Sequence, residues 1–131
     1  MALHPEAGKP ASKAQLVNVA KLVSAYYSYK PTIGDITQRV SFGTSGHRGS
    51  SLLHTFNDVH IAAICQALAE YRQDNNISGP LFMGMDTHAL SEAAFSTAVE
   101  VFAANQISMI VQKDRGYTPT PVISHAILQH N

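Results

Sequence analysis

From residue 55 onward the chain alternates between two hydrophobic periods, and that alternation constrains its fold more than any other feature. Val59, Ala63, Ile64, Ala67, Leu68 and Tyr71 recur at helical spacing. Thr55 to Asp58 supply helix-start chemistry, and Asn75 to Pro80 read as a loop. Leu81 to Met85 is short, apolar and punctuated by glycine, which predicts a buried strand. Ser91 opens another helix with Phe95, Ala98, Val99 and Phe102 on one face and Asn105 as its C-terminal cap. Ile107 to Val111 predicts a second buried strand. Thr120-Pro121 pairs a cap with a proline suited to the first helical turn, and Val122, Ile123, Ala126 and Ile127 continue the pattern. Helix, strand, helix, strand, helix predicts an α/β domain on a mainly parallel sheet. Such sheets take ligands at the carboxyl ends of their strands, where the loops 86–90 and 113–120 fall. Two or three strands are few for a sheet covered on both faces, so a truncated domain is expected.

The N-terminal third reads differently. Residues 1–11 hold two prolines and a glycine and form a flexible lead-in. Ser12 and Gln15 have capping-box spacing, which predicts a helix over 12–27 with Leu16, Val19, Ala20, Val23, Tyr26 and Tyr27 on one face. That stripe must bury itself on this domain or on a partner subunit. Pro31 to Asp35 break the pattern, and Gln38 to Phe42 predict a short strand. The organisation expected is a lead-in over 1–11, a helix and linker over 12–35, and a partial first domain over 36–131.

Composition excludes several classes. Nine basic and nine acidic residues cancel, so nothing points to nucleic acid. The single cysteine, Cys65, rules out a disulfide framework and sits in an apolar helical pattern as a small buried hydrophobe. Met1 to Lys9 lack the apolar core of a secretion signal, and no apolar run approaches membrane-spanning length. A soluble cytoplasmic protein is expected.

The segment Phe42-Gly43-Thr44-Ser45-Gly46-His47-Arg48-Gly49 carries the most chemistry. Its glycines free the backbone for positive φ, so successive N–H groups can form an anion-binding nest. Thr44 and Ser45 add hydroxyls, Arg48 adds a planar charged fork suited to phosphate, and His47 can donate or accept. An ordinary glycine loop with a surface arginine has the same pattern. The spacing matches neither a Walker A loop nor a dinucleotide fingerprint. Seven histidines invite a metal reading. His54 and His60, and His125 and His130, are spaced wrongly for one helical face, so no metal site is expected. Asp86 is read as a loop-capping carboxylate rather than a general base, and Asp114-Arg115 as a solvated turn.

The segment 42–49 resembles the opening motif of the α-D-phosphohexomutases. Gly84-Met85-Asp86-Thr87-His88-Ala89-Leu90-Ser91-Glu92 and Gly116-Tyr117-Thr118-Pro119-Thr120-Pro121 resemble two further motifs of that family, in order. Met85 and His88 stand where the family commonly carries arginines, which resembles the bacterial phosphoglucomutase branch and weakens a phosphate role for the loop 84–92. The resemblance implies a three-layer αβα sandwich on a mixed, mainly parallel sheet, truncated before its last strand. It implies an isomerase that shifts phosphate between O1 and O6 of glucose through a phosphoserine and glucose 1,6-bisphosphate, with magnesium held in a later domain. Arg48, supported by Thr44, Ser45, Gly46 and His47, would face the phosphoryl group. The family's serine lies in a Thr-Ala/Pro-Ser-His-Asn-Pro motif, expected beyond Asn131. Ser124-His125 is followed by Ala126-Ile127 and does not match it. The chain alone is therefore expected to bind no metal and to be inactive, and the sugar-recognition loop lies elsewhere. Expected partners are a sugar phosphate and the remaining domains of the parent chain. The competing readings are a non-catalytic subunit-assembly module, with the helix 12–27 pairing a homodimer, and an unrelated α/β phosphate binder.

Overall fold

The computed structural model describes residues 4–130. The first three residues of the expected lead-in, and Asn131, lie outside them. The main elements are α1 (Val19–Ser28), β1 (Phe42–Gly43), β2 (Gly46–His47), α2 (Asp58–Asp74), β3 (Leu81–Met83), α3 (Ser91–Ala104), β4 (Met109–Val111) and α4 (Thr120–His130). Short 3-10 turns stand at Ile36–Gln38, Ser51–Leu53 and Lys113–Arg115.

Strands β3 and β4 pair in parallel, with Leu81 opposite Met109 and Met83 opposite Val111, and α3 is the crossover between them. Side chains of a strand alternate between faces. Leu81, Met83 and Met109 pack against Cys65 of α2 and Ala98 and Phe102 of α3. Phe82 points the other way and meets the His130 ring of α4 at 5.2 Å. Helices therefore lie on both faces of the parallel pair, the three-layer α/β/α arrangement. The antiparallel component, β1 with β2, is a separate two-stranded hairpin.

α1 begins at Val19, not at Ser12. The Asn18 side chain accepts the N–H of Lys21 at 2.9 Å and caps the helix. The Ser12 N–H donates to Gln15 Oε1 at 2.8 Å, but this closes only a local turn. Leu16 and Val17 ahead of Asn18 are exposed, so no burial rewards helix there. The buried face is Leu22, Ala25 and Tyr26, packed with Val23 against Leu90, Ala93, Leu52, Phe56 and Ile61. Of the two coverings open to this helix, the structure shows its own domain. Val19, Ala20 and Tyr27 of the predicted stripe face outward.

The extended segment before the glycine turn is shorter than the predicted strand over 38–42. Asp35 caps a 3-10 turn through its side chain to the Thr37 N–H, which occupies Ile36–Gln38 and leaves strand only from Phe42. α2 has the predicted extent but buries a different face. His60, Cys65 and Ala69 are inside, whereas Val59, Ala63, Ala67, Leu68 and Tyr71 are exposed. α3 buries Phe95, Ala98 and Phe102 as its periodicity predicts. No helix among the described residues is long and apolar enough to cross a membrane.

Candidate functional site

The glycine segment folds as a hairpin, with Phe42 opposite His47 and Gly43 opposite Gly46, and Thr44-Ser45 at its tip. Of its three glycines only Gly46 takes positive φ, at +98°, which lets the chain turn back after the tip. Gly49 is required for another reason. A Cβ there would stand 2.2 Å from the Thr55 carbonyl oxygen, so the two backbones touch. That approach is locked by Ser50 N–H donating to Thr55 Oγ1 at 2.9 Å and Thr55 N–H donating to Ser50 O at 3.1 Å.

Ser41, Gly43, Thr44, Ser45, Gly46 and Arg48 line a concavity of about 310 Å³. Four of the five residues singled out in sequence thus meet at one place. Arg48 is exposed and, among the described residues, has no ion pair or hydrogen bond. His47 is the exception. Its ring turns from the concavity and lies parallel to Phe56 (5.7 Å, 6°) and His60 (5.5 Å, 20°).

His60, whose spacing from His54 speaks only against a metal pair, has a definite task in the structure. It is 3% exposed. Its Nδ1 accepts the Asn57 N–H at 3.2 Å, which leaves Nε2–H to donate to Gln38 O at 2.7 Å. The ring therefore ties the approach to the hairpin onto the start of α2. The signal available in sequence was Asn57 followed by His60, the N-cap and N3 positions of a helix.

The other two motifs meet each other. Thr118 N–H donates to Met85 O at 2.9 Å. A Cβ on Gly84 would stand 2.9 Å from Thr118 Cβ and 3.1 Å from Ile123 Cδ1, so a side chain there would part the two loops. Gly84, Met85, Asp86, Ser91, Thr118 and Thr120 border a second concavity of about 590 Å³ at the carboxyl ends of the parallel strands, floored by apolar residues of α2 and α3. Asp86 caps its loop as expected: Oδ1 accepts from Ser91 Oγ and from the His88 N–H. Those two hydrogen bonds hold its carboxyl below the usual carboxylate range. Burial raises the Cys65 thiol, which keeps it protonated and inert. Ser124 Oγ donates to Thr120 O at 3.2 Å within its own helix. Asp114 and Arg115 both take positive φ, and the Arg115 guanidinium lies 5.7 Å over the Phe95 ring.

A three-layer α/β/α domain with candidate residues on a glycine hairpin and on loops at the carboxyl ends of parallel strands belongs to the open-sheet α/β class. Residues 39–131 match the family model described as phosphoglucomutase/phosphomannomutase, alpha/beta/alpha domain I, and the chain belongs to that family. It is 57% identical over 129 residues to a phosphoglucomutase from Komagataeibacter xylinus, an overlap that covers 98% of this chain and 23% of the relative.

Proposed function

We propose that the chain forms the first part of a phosphoglucomutase, and that its hairpin holds a phosphoryl group in transit between O1 and O6 of glucose. The observation that carries the reading is Arg48, a permanently charged fork left without a partner among the described residues, beside the hydroxyls and backbone of Thr44 and Ser45. Phosphoryl transfer asks for charge stabilisation and in-line positioning more than for covalent help, and this cluster offers both. The family and the name of the 57% identical relative support glucose as the sugar.

In this reading a phosphoserine opposite Arg48 gives its phosphoryl group to the sugar phosphate and takes the other back from glucose 1,6-bisphosphate. The 131 residues contain no Ser-His-Asn-Pro sequence, and Ser124 is spent on a helical carbonyl. We therefore expect these residues alone to bind phosphate without turnover. Among the described residues no three His, Cys, Asp or Glu side chains gather around one point. The described residues do not furnish a magnesium site. The one buried cysteine suits a reducing compartment, and we place the parent protein in the cytoplasm.

Titration with glucose 1-phosphate, followed by amide NMR shifts, tests the binding half. Saturable shifts at residues 44–48 that vanish in Arg48→Ala are expected. Binding unaffected by Arg48→Ala would overturn the reading. Conversion of glucose 1-phosphate by the purified chain above a mock preparation would overturn the expectation of inactivity.

A further inference from the structure

We propose that His47 is a positioning residue: its ring mounts the hairpin on the start of α2 so that Arg48, the next residue, faces the anion, and it does not touch the anion itself. The inference rests on the phosphate-site reading above and reassigns one residue within it.

The hairpin cannot hold its own shape. It has two residue pairs, and isolated two-stranded ribbons are marginal even when longer. An arginine that must meet a phosphate in a set geometry needs its backbone held by something outside the hairpin. The His47 ring is the part of the hairpin that reaches the core. It lies parallel to Phe56 and His60, and Phe42 meets it at 6.5 Å and 60°. Its Nδ1 stands 3.2 Å from both the N and the O of Ser41, so one nitrogen is engaged at the hairpin entry in either tautomer.

The platform beneath is tied to its surroundings by hydrogen bonds. Both His60 nitrogens are bonded, to Asn57 N–H and to Gln38 O. Asn57 is 0% exposed and donates its amide to the carbonyls of Ala25 and Ser51. The stack therefore runs from the hairpin through His60 and Asn57 to α1. His47 Nε2 lies on the inner side of the stack. It is buried, with no hydrogen-bond partner among the described residues, and so is closed off from any anion in the concavity. Thr44, Ser45, Gly46 and Arg48 line that concavity, and His47 does not.

The test compares His47→Phe, which keeps an aromatic ring against Phe56 and His60 but no nitrogen, with His47→Ala, which removes the ring. Arg48→Ala is the control. Inorganic phosphate is the probe, and NMR on the 131-residue chain reads both phosphate affinity and amide exchange over 42–47 and over α3. We expect His47→Phe to bind phosphate within about twofold of the native chain. His47→Ala should bind about tenfold more weakly, with faster exchange in the hairpin and unchanged exchange in α3. Loss of affinity in His47→Phe with hairpin exchange intact makes His47 a ligand and overturns the proposal, and this holds even if His47→Ala fails to fold. Native affinity and native hairpin exchange in His47→Ala overturn it equally. If the native chain binds no phosphate and Arg48→Ala changes nothing, the phosphate-site reading fails. Hairpin exchange still decides the mounting: faster in His47→Ala and restored in His47→Phe supports it, and no change in His47→Ala refutes it.

Discussion

The hydroxyl of Tyr26 stands 2.8 Å from Oγ1 of Thr97, and this pair ties the N-terminal helix to α3. Thr97 Oγ1 donates onward to Ala93 O at 3.2 Å, so Tyr26 is the donor to Thr97. Tyr26 is 0% exposed, its ring set edge-on to Tyr27 at 4.8 Å. α1 lies ahead of the stretch the family model matches, yet it is part of the same core.

Tyr26→Ala is accordingly expected to cost ~3–5 kcal/mol, the scale for deleting a buried ring. Tyr26→Phe removes only the hydrogen bond, and about 1 kcal/mol is expected. Urea denaturation of the two variants measures both. Burial pushes the Tyr26 phenol up to about 12. A folded-state value above the unfolded value near 10 means that the contribution is whole below pH ~10 and is lost as pH rises toward 12. The native chain should lose stability over that window more steeply than Tyr26→Phe, and parallel alkaline limbs would contradict the assignment.

Four of the five motif glycines should respond differently to alanine. Gly43→Ala should be tolerated, since the nearest atom to its new Cβ is 3.9 Å away and its φ is not positive. Gly46→Ala should cost ~1–2 kcal/mol through its positive φ. Gly84→Ala should cost ~1–3 kcal/mol by forcing Thr118 and Ile123 away. Gly49→Ala should be the worst, because the atom met at 2.2 Å is the Thr55 backbone oxygen, which cannot swing aside. Denaturation midpoints give the ranking, and a tolerated Gly49→Ala would show that the 49–55 contact is wrong.

Asp86 links the second motif to acid stability. Its carboxyl, held low by Ser91 and the His88 N–H, contributes stability that is present above the unfolded value near 3.8 and lost as pH falls through the folded value. Asp86→Asn should therefore flatten the decline of stability below pH ~4, and Ser91→Ala should flatten it in part. Unfolding midpoints between about pH 2 and 6 decide this, and superimposable curves for native and Asp86→Asn would refute it.

Arg48→Ala should leave stability within about ±0.5 kcal/mol, because the side chain is exposed and has no partner among the described residues. A large loss in thermal denaturation would mean that Arg48 holds the fold, and its availability to an anion would go with it.

The comparison of α2 with α3 shows where periodicity is legible and where it is not. α3 has one apolar face, so Phe95, Ala98 and Phe102 had one way to point. α2 has two candidate stripes, and the outer one, with Val59, Leu68 and Tyr71, contains the larger side chains. The inner stripe is the one on which Ile61 and Cys65 pack against α1, α3 and the strands, while His60 and the N-cap Asn57 bond to Gln38, Ala25 and Ser51. Those partners are distant in sequence, and no local pattern announces them. The start of α1 went the same way: Ser12 offered a cap, but only residues after Asn18 had a surface to bury against.

By itself, the sequence determined the order of helices and strands from residue 55 onward, the parallel pairing, the three motifs and the grouping of Thr44, Ser45, Gly46 and Arg48. These follow from hydrophobic period, glycine placement and short-range turn chemistry, all local. Tertiary structure alone decided which face α2 buries, that the second and third motifs touch through Gly84 and Thr118, and that His47 turns inward while Arg48 turns out. The physical reason is that neighbours in a hairpin have opposite faces, and only packing against Phe56 and His60 chooses which face is the core.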